Sequence, residues 1–190
     1  MLIAIEGIDG AGKTTIARFL RDELQKMGYD VVLLKEPTDS EWGRKIKESL
    51  NNRLSAEEEL ELFILDRKYD VEKNILPALK SGKIVIMDRY YYSNIAYQAA
   101  RGIDAEKIRR MNEEIAPKPD LVILLDAPPE LCLERVKKRG MPNEFEKLSY
   151  LRKVREVFRS LDNIAVIDAG KDLEEVKKDV LKEILKLLRK

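Results

Sequence analysis

The sequence of 190 residues predicts a single α/β domain, spanning 1–190, in which a five-stranded parallel sheet is covered by helices on both faces. Two observations carry this prediction. Five short apolar runs alternate with longer segments whose apolar residues recur at helical spacing, and no low-complexity linker or internal repeat divides the chain. The predicted strands are 2–5, 31–34, 83–87, 121–125 and 164–167.

The predicted helices follow from apolar periodicity and from capping residues at their ends. Ser55 and Glu58 form a capping box that opens the longest helix, which runs to about residue 80, and Asp172 with Glu175 is a capping pair for the last helix. The other predicted helices are 13–27, 41–50, 104–115, 128–139 and 146–161. Helices therefore separate the strands, as parallel pairing requires.

The composition excludes several classes of function. Lysine and arginine number 36 against 35 aspartates and glutamates, so we expect neither a nucleic-acid partner nor a membrane partner. Glu6 and Asp9 interrupt the first apolar run, which argues against a signal peptide, and no apolar run approaches the roughly 18 residues of a membrane span. We therefore expect a cytoplasmic protein. Since the chain has no histidine and only Cys132, an internal disulfide, a zinc site and a histidine-based triad are excluded.

The segment from Gly7 to Thr14 fills the pattern G-x-x-x-x-G-K-[ST] between a predicted strand and a predicted helix. Its glycines let backbone N–H groups turn toward phosphate oxygens, Lys13 reaches the β- and γ-phosphates, and the Thr14 hydroxyl is a ligand for Mg²⁺. A glycine turn that binds nothing is the alternative, but the strand-loop-helix context favours a phosphate-binding loop. The candidate residues for binding a nucleoside triphosphate are Gly7, Asp9, Gly10, Ala11, Gly12, Lys13, Thr14 and Thr15.

Polar side chains follow the predicted strands, at the edge of the sheet where open α/β folds bind ligands. Glu36 follows the second strand, although a solvated turn residue would give the same pattern. Asp88 and Arg89 follow the third strand, where an acid can organise Mg²⁺ and an arginine can grip a phosphate. The segment 91–98 beyond them is dense in hydrogen-bonding side chains, which favours a ligand pocket over a surface loop.

Two other features have both a functional and a plain interpretation. Phe63 and Arg67 share one face of the longest helix, where they could stack on a base and hydrogen-bond its carbonyl, but alone the pair reads more simply as a core phenylalanine and a surface arginine. The charged segment of about 136–146, with Gly140 and Pro142, has the composition of a mobile lid and equally that of a solvated connection.

Taken together, these motifs resemble the thymidylate kinase family over nearly the whole chain. The phosphate-binding loop alone indicates only a nucleotide-binding superfamily. The segment that begins at Asp88 narrows the resemblance to one family within it. The matching segments are Ile5 to Thr15, Glu36-Pro37, Asp88-Arg89-Tyr90 with Ser93, Ala96, Tyr97 and Gln98, Pro119-Asp120-Leu121, Asp126 with Pro128-Pro129-Glu130, Phe145-Glu146 and Ile167-Asp168-Ala169.

The resemblance implies the three-layer fold of P-loop nucleoside monophosphate kinases and transfer of the γ-phosphoryl of ATP to dTMP, with Mg²⁺ as cofactor. It also implies a homodimer. For the donor site it implies catalytic roles for Lys13, Asp88 and Arg89, with Thr14 and Asp88 holding the metal ion. Arg135 would lie near adenine, and the backbone of Ala169 would face the adenine edge.

The resemblance also assigns the acceptor site. Phe63 would stack on thymine, Arg67 would hydrogen-bond its O4, and Arg89 would hold the dTMP phosphate. The remaining implied contacts are Asp9 to the sugar 3′-hydroxyl, Tyr97 against the 2′ position, Asn94 and Gln98 to the nucleotide, and Glu36 at the same site.

One arginine differs from the family pattern. Some members place it just after the position of Asp9, where this chain has Gly10, and others place it in the lid, where this chain has Asn143 and Glu144. Arg139 is the remaining lid candidate, with Lys137 or Lys138 as support. A clamping arginine of this kind contributes roughly 10³ to 10⁵ in rate.

Two alternatives remain open at this point. A kinase for another pyrimidine deoxynucleotide, such as dUMP, would differ in its substrate by one methyl group, which is worth about 1 kcal/mol in a pocket. A non-catalytic nucleotide-dependent switch would bind the triphosphate without turnover that depends on an acceptor.

Overall fold

The computed structural model describes residues 1–49, 54–138 and 145–189 and confirms the α/β architecture. The strands are β1 (Leu2–Glu6), β2 (Val31–Lys35), β3 (Ile84–Asp88), β4 (Leu121–Asp126) and β5 (Ala165–Asp168). The helices are α1 (Lys13–Lys26), α2 (Glu41–Ser49), α3 (Ala56–Asp70), α4 (Leu76–Lys80), α5 (Tyr91–Ala99), α6 (Ala105–Glu113), α7 (Pro129–Lys137), α8 (Phe145–Ser160) and α9 (Leu173–Leu188).

The five strands form one parallel sheet in the order β2-β3-β1-β4-β5. β1 and β3 are buried along their whole length, as expected of inner strands covered on both faces. The chain leaves β1 for the far edge and later crosses back over it to reach β4, so strand order reverses beside β1. Open α/β sheets bind ligands outside the carboxyl ends of strands at such a point, here next to Glu6 and Asp88.

The apolar core lies between the sheet and the helices that cover it. On one side α1 contributes the fully buried Ile16, Leu20 and Leu24, which the helical spacing predicts. α8 contributes Val154 and Phe158. These side chains anchor the helices that begin and end around the phosphate-binding loop.

The long helix predicted from Ser55 to about residue 80 is present as α3 and α4 joined by a π-helical turn, Val71–Ile75. The capping box of Ser55 and Glu58 is confirmed in both directions. Pro77 accounts for the wider turn, because it has no N–H to donate one helical turn back and its ring crowds the carbonyl there.

α5 is a helix where the sequence predicted only a polar, pocket-forming segment. Most of its side chains are buried, including the polar Ser93, Asn94 and Gln98, and Tyr91 stacks on Tyr92 with ring centroids 4.6 Å apart. Helical periodicity is absent from this segment, since polar and apolar side chains are buried alike. That is why sequence patterns did not reveal the helix.

Other predicted boundaries agree to within one or two residues, as expected of helix and strand ends. Leu50, at the end of a predicted helix, and most of the segment proposed as a lid, 139–144, lie outside the described residues. Within the described parts of the chain, no helix is both long enough and apolar enough to cross a membrane.

Candidate active site

The phosphate-binding loop connects β1 to α1, and two of its glycines lie close to backbone carbonyl groups of other segments. Gly7 has φ 143° and Gly10 has φ 86°. A Cβ atom on Gly7 would lie 2.6 Å from the Leu125 carbonyl oxygen, and one on Gly10 would lie 2.2 Å from that of Cys132. The loop therefore requires glycine at both positions, and Gly10 in this conformation leaves no room for the arginine that some family members carry.

Lys13 is buried and its ammonium group bends back over the loop. Its Nζ donates to the carbonyl oxygens of Gly7 and Ile8, both at 2.8 Å. The pKa of Lys13 is lowered from 10.5 to about 7, mainly by burial and also by the nearby Arg89, while Asp9 opposes the shift. A phosphate anion in the loop would favour the charged form of this group.

Thr14 and Asp88 meet at the carboxyl ends of β1 and β3. The Thr14 hydroxyl donates to Asp88 Oδ2 at 2.5 Å, while Asp88 Oδ1 is buried without a hydrogen-bond partner. A hydroxyl oxygen beside a carboxylate with a free lone pair is the oxygen-rich donor set that Mg²⁺ prefers. No group of three or more acidic, histidine or cysteine ligands occurs among the described residues.

Lys35 is a site residue that sequence reasoning missed. It is the last residue of β2, and its Nζ lies 3.6 Å from Asp88 Oδ2. Its position directly before Glu36, at the end of a parallel strand, was the available signal. Lys35 adds a second lysine charge close to the phosphate-binding loop.

Arg89 and Tyr97 form a connected cluster with Asp9 of the phosphate-binding loop. Arg89, in the left-handed conformation at φ 74°, pairs with Asp9 Oδ1 and lies over the Tyr97 ring at 5.5 Å. The Tyr97 hydroxyl donates to Asp9 Oδ2 at 3.0 Å. Burial opposes the charged form of Arg89, but Asp9, Tyr97 and Glu6 together outweigh it and the pKa of Arg89 is raised. The structure thus brings together three residues to which the resemblance assigns contacts with the acceptor nucleotide.

A single cavity of about 150 Å³ brings these groups together. It is lined by Asp9, Gly10, Gly12, Lys13, Thr14, Thr15, Lys35, Asp88 and Arg89. All except Lys35 were selected from the sequence. Positive side chains surround the cavity, so it is suited to a multiply charged anion.

Glu6 is a second residue that sequence reasoning missed. It ends β1, is fully buried, and accepts hydrogen bonds from the Tyr90 backbone N–H at 2.8 Å and from the Ser93 hydroxyl. Burial raises the pKa of Glu6 to about 7, against these hydrogen bonds. Because Arg89 lies between β3 and this anchored start of α5, Glu6 fixes the backbone from which Arg89 projects.

A second group of polar side chains lies at the start of α5 and is here called the Arg67 cluster: Glu36, Arg67, Asn94 and Asn112. Arg67 is 1% exposed, so the surface interpretation of this residue is wrong. Its Nη2 donates to Glu36, and its Nη1 donates to Asn112 and, at 3.3 Å, to Asn94. Burial raises the pKa of Glu36, and the charge of Arg67 opposes that rise.

Phe63, one helical turn before Arg67, is half-buried and lies outside the apolar core. The interpretation of Phe63 as a core residue is therefore wrong as well. Along α5, Gln98 is fully buried and its Nε2 donates to Glu59 Oε2 at 2.8 Å, while its Oε1 has no partner. Phe63 thus keeps an accessible ring, and Gln98 keeps one free acceptor.

Arg135 and Ala169, to which the resemblance assigns contacts with adenine, lie next to each other. Both terminal nitrogens of Arg135, on α7, donate to the Ala169 carbonyl oxygen, at 3.1 and 3.2 Å. Ala169 in turn donates its N–H to the Asp126 carbonyl at 2.7 Å. This contact joins α7 to the loop after β5. Arg139, the predicted lid arginine, lies outside the described residues, as do Asn143 and Glu144.

Comparisons with known proteins agree with this geometry. The thymidylate kinase family model matches residues 5–180. A protein of Archaeoglobus fulgidus named probable thymidylate kinase is 63% identical over 97% of this chain and 94% of its own length. Thymidylate kinases of Xanthomonas oryzae pv. oryzae and Xanthomonas campestris pv. campestris are 48% and 47% identical over 93% of this chain and 79% of their own length. The chain therefore belongs to the thymidylate kinase family.

Proposed function

We propose that this chain transfers the γ-phosphoryl group of ATP to dTMP, giving ADP and dTDP. A dTMP phosphate oxygen attacks the γ-phosphorus, a new P–O bond forms, and the bond to the β–γ bridging oxygen breaks as ADP leaves. The acceptor oxygen is ionised at neutral pH, so the step needs no strong general base, in keeping with a chain that has no histidine. Catalysis then depends on positioning and on neutralising charge.

The observation that carries this proposal is the shared cavity. It is lined by the phosphate-binding loop, including Lys13 and Asp9, and by Arg89, which follows β3 and pairs with Asp9. Donor and acceptor phosphates bound to the loop and to Arg89 would meet in one enclosure, where Lys13, Lys35 and Arg89 neutralise the negative charge of the transferring group. Asp9 lies in the loop and contacts Arg89, so it serves both substrates.

For the metal ion, we propose that Thr14 and Asp88 hold Mg²⁺, which neutralises phosphate charge when bound. The free buried Asp88 Oδ1 supports this assignment. Lys35 lies 3.6 Å from the other carboxylate oxygen and would balance the acid when the metal ion leaves.

For the acceptor base, we propose that Phe63 stacks on thymine and that the Arg67 cluster forms hydrogen bonds along its edge. The half-buried ring of Phe63 and the buried, unpartnered polar atoms of Glu36, Arg67, Asn94 and Gln98 support this role. Tyr97, fixed by its bond to Asp9, would exclude a 2′-hydroxyl. For the donor base, Arg135 and the backbone of Ala169 would contact adenine, and Arg139 would clamp the transferring phosphoryl group.

A homodimer is proposed as well. Leu65 and Tyr69, on α3, are 42% and 38% exposed, and Trp42 lies beside Tyr69 with ring centroids 6.3 Å apart. These large apolar side chains, adjacent on one helix face, suit burial against a second copy. Light scattering of the intact protein, compared with a Leu65→Glu variant, tests this assembly.

The single domain with a lid at about 136–146 and the cytoplasmic location stay predictions. Limited proteolysis with and without ATP would test the lid, and cell fractionation would test the location.

An assay of ADP release with a panel of monophosphates tests the proposed function. ADP formation that depends on dTMP supports the kinase, and stronger dependence on dUMP or dCMP would reassign the acceptor. Binding of ATP without turnover stimulated by any acceptor would instead favour a nucleotide-dependent switch.

A further inference from the structure

Asn112 lies on α6, outside every motif that the sequence revealed, and is 0% exposed. Both the oxygen and the nitrogen of its amide form hydrogen bonds within the protein. Asn112 Oδ1 accepts from Arg67 Nη1, and its Nδ2 donates to Asn94 Oδ1 at 3.1 Å and to the Ile108 carbonyl oxygen at 2.8 Å. Asn112 therefore connects two side chains of the Arg67 cluster to the backbone of α6.

This arrangement decides which atoms of its neighbours remain free. Asn94 Oδ1 accepts from both Asn112 and Arg67, so the Asn94 oxygen is directed to them and its Nδ2 is left buried without a partner. Arg67 uses Nη1 and Nη2 on Asn112, Asn94 and Glu36, and its Nε is left buried without a partner. Both free groups are N–H donors, and buried donors require acceptors.

We propose that Asn112 is a positioning residue that directs free N–H donors of the Arg67 cluster into the pocket and thereby selects acceptor bases with a carbonyl oxygen at position 4. The inference rests on the proposed pyrimidine monophosphate acceptor. Thymine and uracil carry a carbonyl at position 4, whereas cytosine carries an amino group that would face a donor. The free acceptors Glu36 Oε1 and Gln98 Oε1 offer a place for the ring N3–H of an oxo-pyrimidine.

Asn112→Asp is the sharpest variant, because the new side chain has the same shape. Its carboxylate still accepts from Arg67 but cannot donate to Asn94 Oδ1 or to the Ile108 carbonyl. We expect the Asn94 amide to turn its Nδ2 toward the new carboxylate, giving up the 3.3 Å hydrogen bond from Arg67, and to present its oxygen to the pocket. A free donor is replaced by an acceptor at one position while the packing of α6 is retained.

The experiment compares kcat and KM for dTMP, dCMP and dUMP, and KM for ATP, in the wild type, Asn112→Asp, Asn112→Ala and Ile108→Val. Ile108 is a fully buried neighbour on α6, and its valine variant shortens the side chain but keeps the backbone carbonyl that accepts from Asn112. Asn112→Ala leaves buried polar atoms of Arg67 and Asn94 unpaired and can unfold the protein, so thermal unfolding of each variant is recorded. If Asn112→Ala is unfolded, the result for Asn112→Asp decides the test.

We expect the ratio of kcat/KM for dTMP over dCMP to fall at least about tenfold in Asn112→Asp, the change expected from one lost buried hydrogen bond. The dTMP over dUMP ratio should not change, because thymine and uracil carry the same ring carbonyls. The KM for ATP should not change, because the hydrogen bonds of Asn112 go to Arg67, Asn94 and Ile108 and not to the phosphate-binding loop. Ile108→Val should keep the wild-type ratios.

An unchanged dTMP over dCMP ratio in folded Asn112→Asp overturns the inference, as does an equal rise in KM for ATP and dTMP, which indicates a purely structural role. Calorimetric binding of dTMP and dCMP without ATP measures the same selectivity independently of turnover. A wild type that binds dTMP but shows no dTMP-dependent ADP release would therefore contradict the proposed function and leave this selectivity measurable.

Discussion

Replacing Lys13 by methionine removes the ammonium group from the phosphate-binding loop while keeping a side chain of similar length. If that charge stabilises the transferring phosphoryl group, turnover should fall by about 10² to 10³, as for the loss of one preorganised electrostatic contact in other active sites. The folded structure should be retained, because the ammonium group hydrogen-bonds to two carbonyl oxygens of its own loop, both at 2.8 Å.

The stability of this variant follows from the burial of the charge. Lowering the pKa of Lys13 from 10.5 to about 7 corresponds to an unfavourable free energy on the order of 5 kcal/mol for the buried charged form. Between these two pH values the unfolded chain binds the proton more tightly, so wild-type stability should rise as pH rises from about 7 toward 10. The Lys13→Met variant should be at least as stable as the wild type at pH 7 and should lack this rise.

Two measurements test the reasoning: ADP release with saturating ATP and dTMP, and thermal unfolding across that pH range. Lys26→Met, on the same helix but with an exposed ammonium paired to Glu23, is the matched control and should leave both unchanged. Turnover of Lys13→Met close to the wild-type value would refute the role of Lys13 in charge stabilisation. A loss of stability at pH 7 would refute the account of its burial.

Three further changes give distinct outcomes. Asp88→Asn should raise the Mg²⁺ concentration for half-maximal activity about tenfold or more, measured by magnesium titration, and an unchanged titration would contradict its role at the metal ion. Gly10→Ala should destabilise the protein by about 2 kcal/mol or more in denaturant unfolding, because residue 10 has a φ of 86° and the added Cβ would collide with the Cys132 carbonyl oxygen. A stable variant would show that the loop relaxes. Arg67→Lys should raise the KM for dTMP but not for ATP, since lysine cannot reproduce the forked contacts to Glu36, Asn94 and Asn112.

The fold could be predicted from the sequence because its strands are continuous apolar runs and its helices carry regular stripes and caps. Leu2–Glu6 and Ile84–Asp88 are buried on both faces, and burial of this kind produces an unmistakable local pattern. The phosphate-binding loop could also be predicted, because its glycine and lysine spacing is dictated by local backbone geometry.

The Arg67 cluster could be predicted only in part, because its contacts join residues distant in sequence. Arg67 is paired with Glu36 and Asn112, 31 and 45 residues away, and nothing local distinguishes such a buried arginine from a surface one. Asn112 lies outside every motif, Glu6 precedes the glycine-lysine pattern, and Lys35 resembled an ordinary charged strand end. Their roles depend on which strand ends and helix faces meet, which local patterns do not specify.

The most direct test of the central claim follows the γ-phosphoryl group itself. Incubation of the protein with γ-labelled ATP, Mg²⁺ and dTMP, followed by separation of the nucleotides, should place the label on dTDP in amounts equal to the ADP formed. With dTMP omitted, little ADP should appear. Label released as inorganic phosphate, or ADP formed at the same rate without dTMP, would contradict the assignment of this chain as a dTMP kinase.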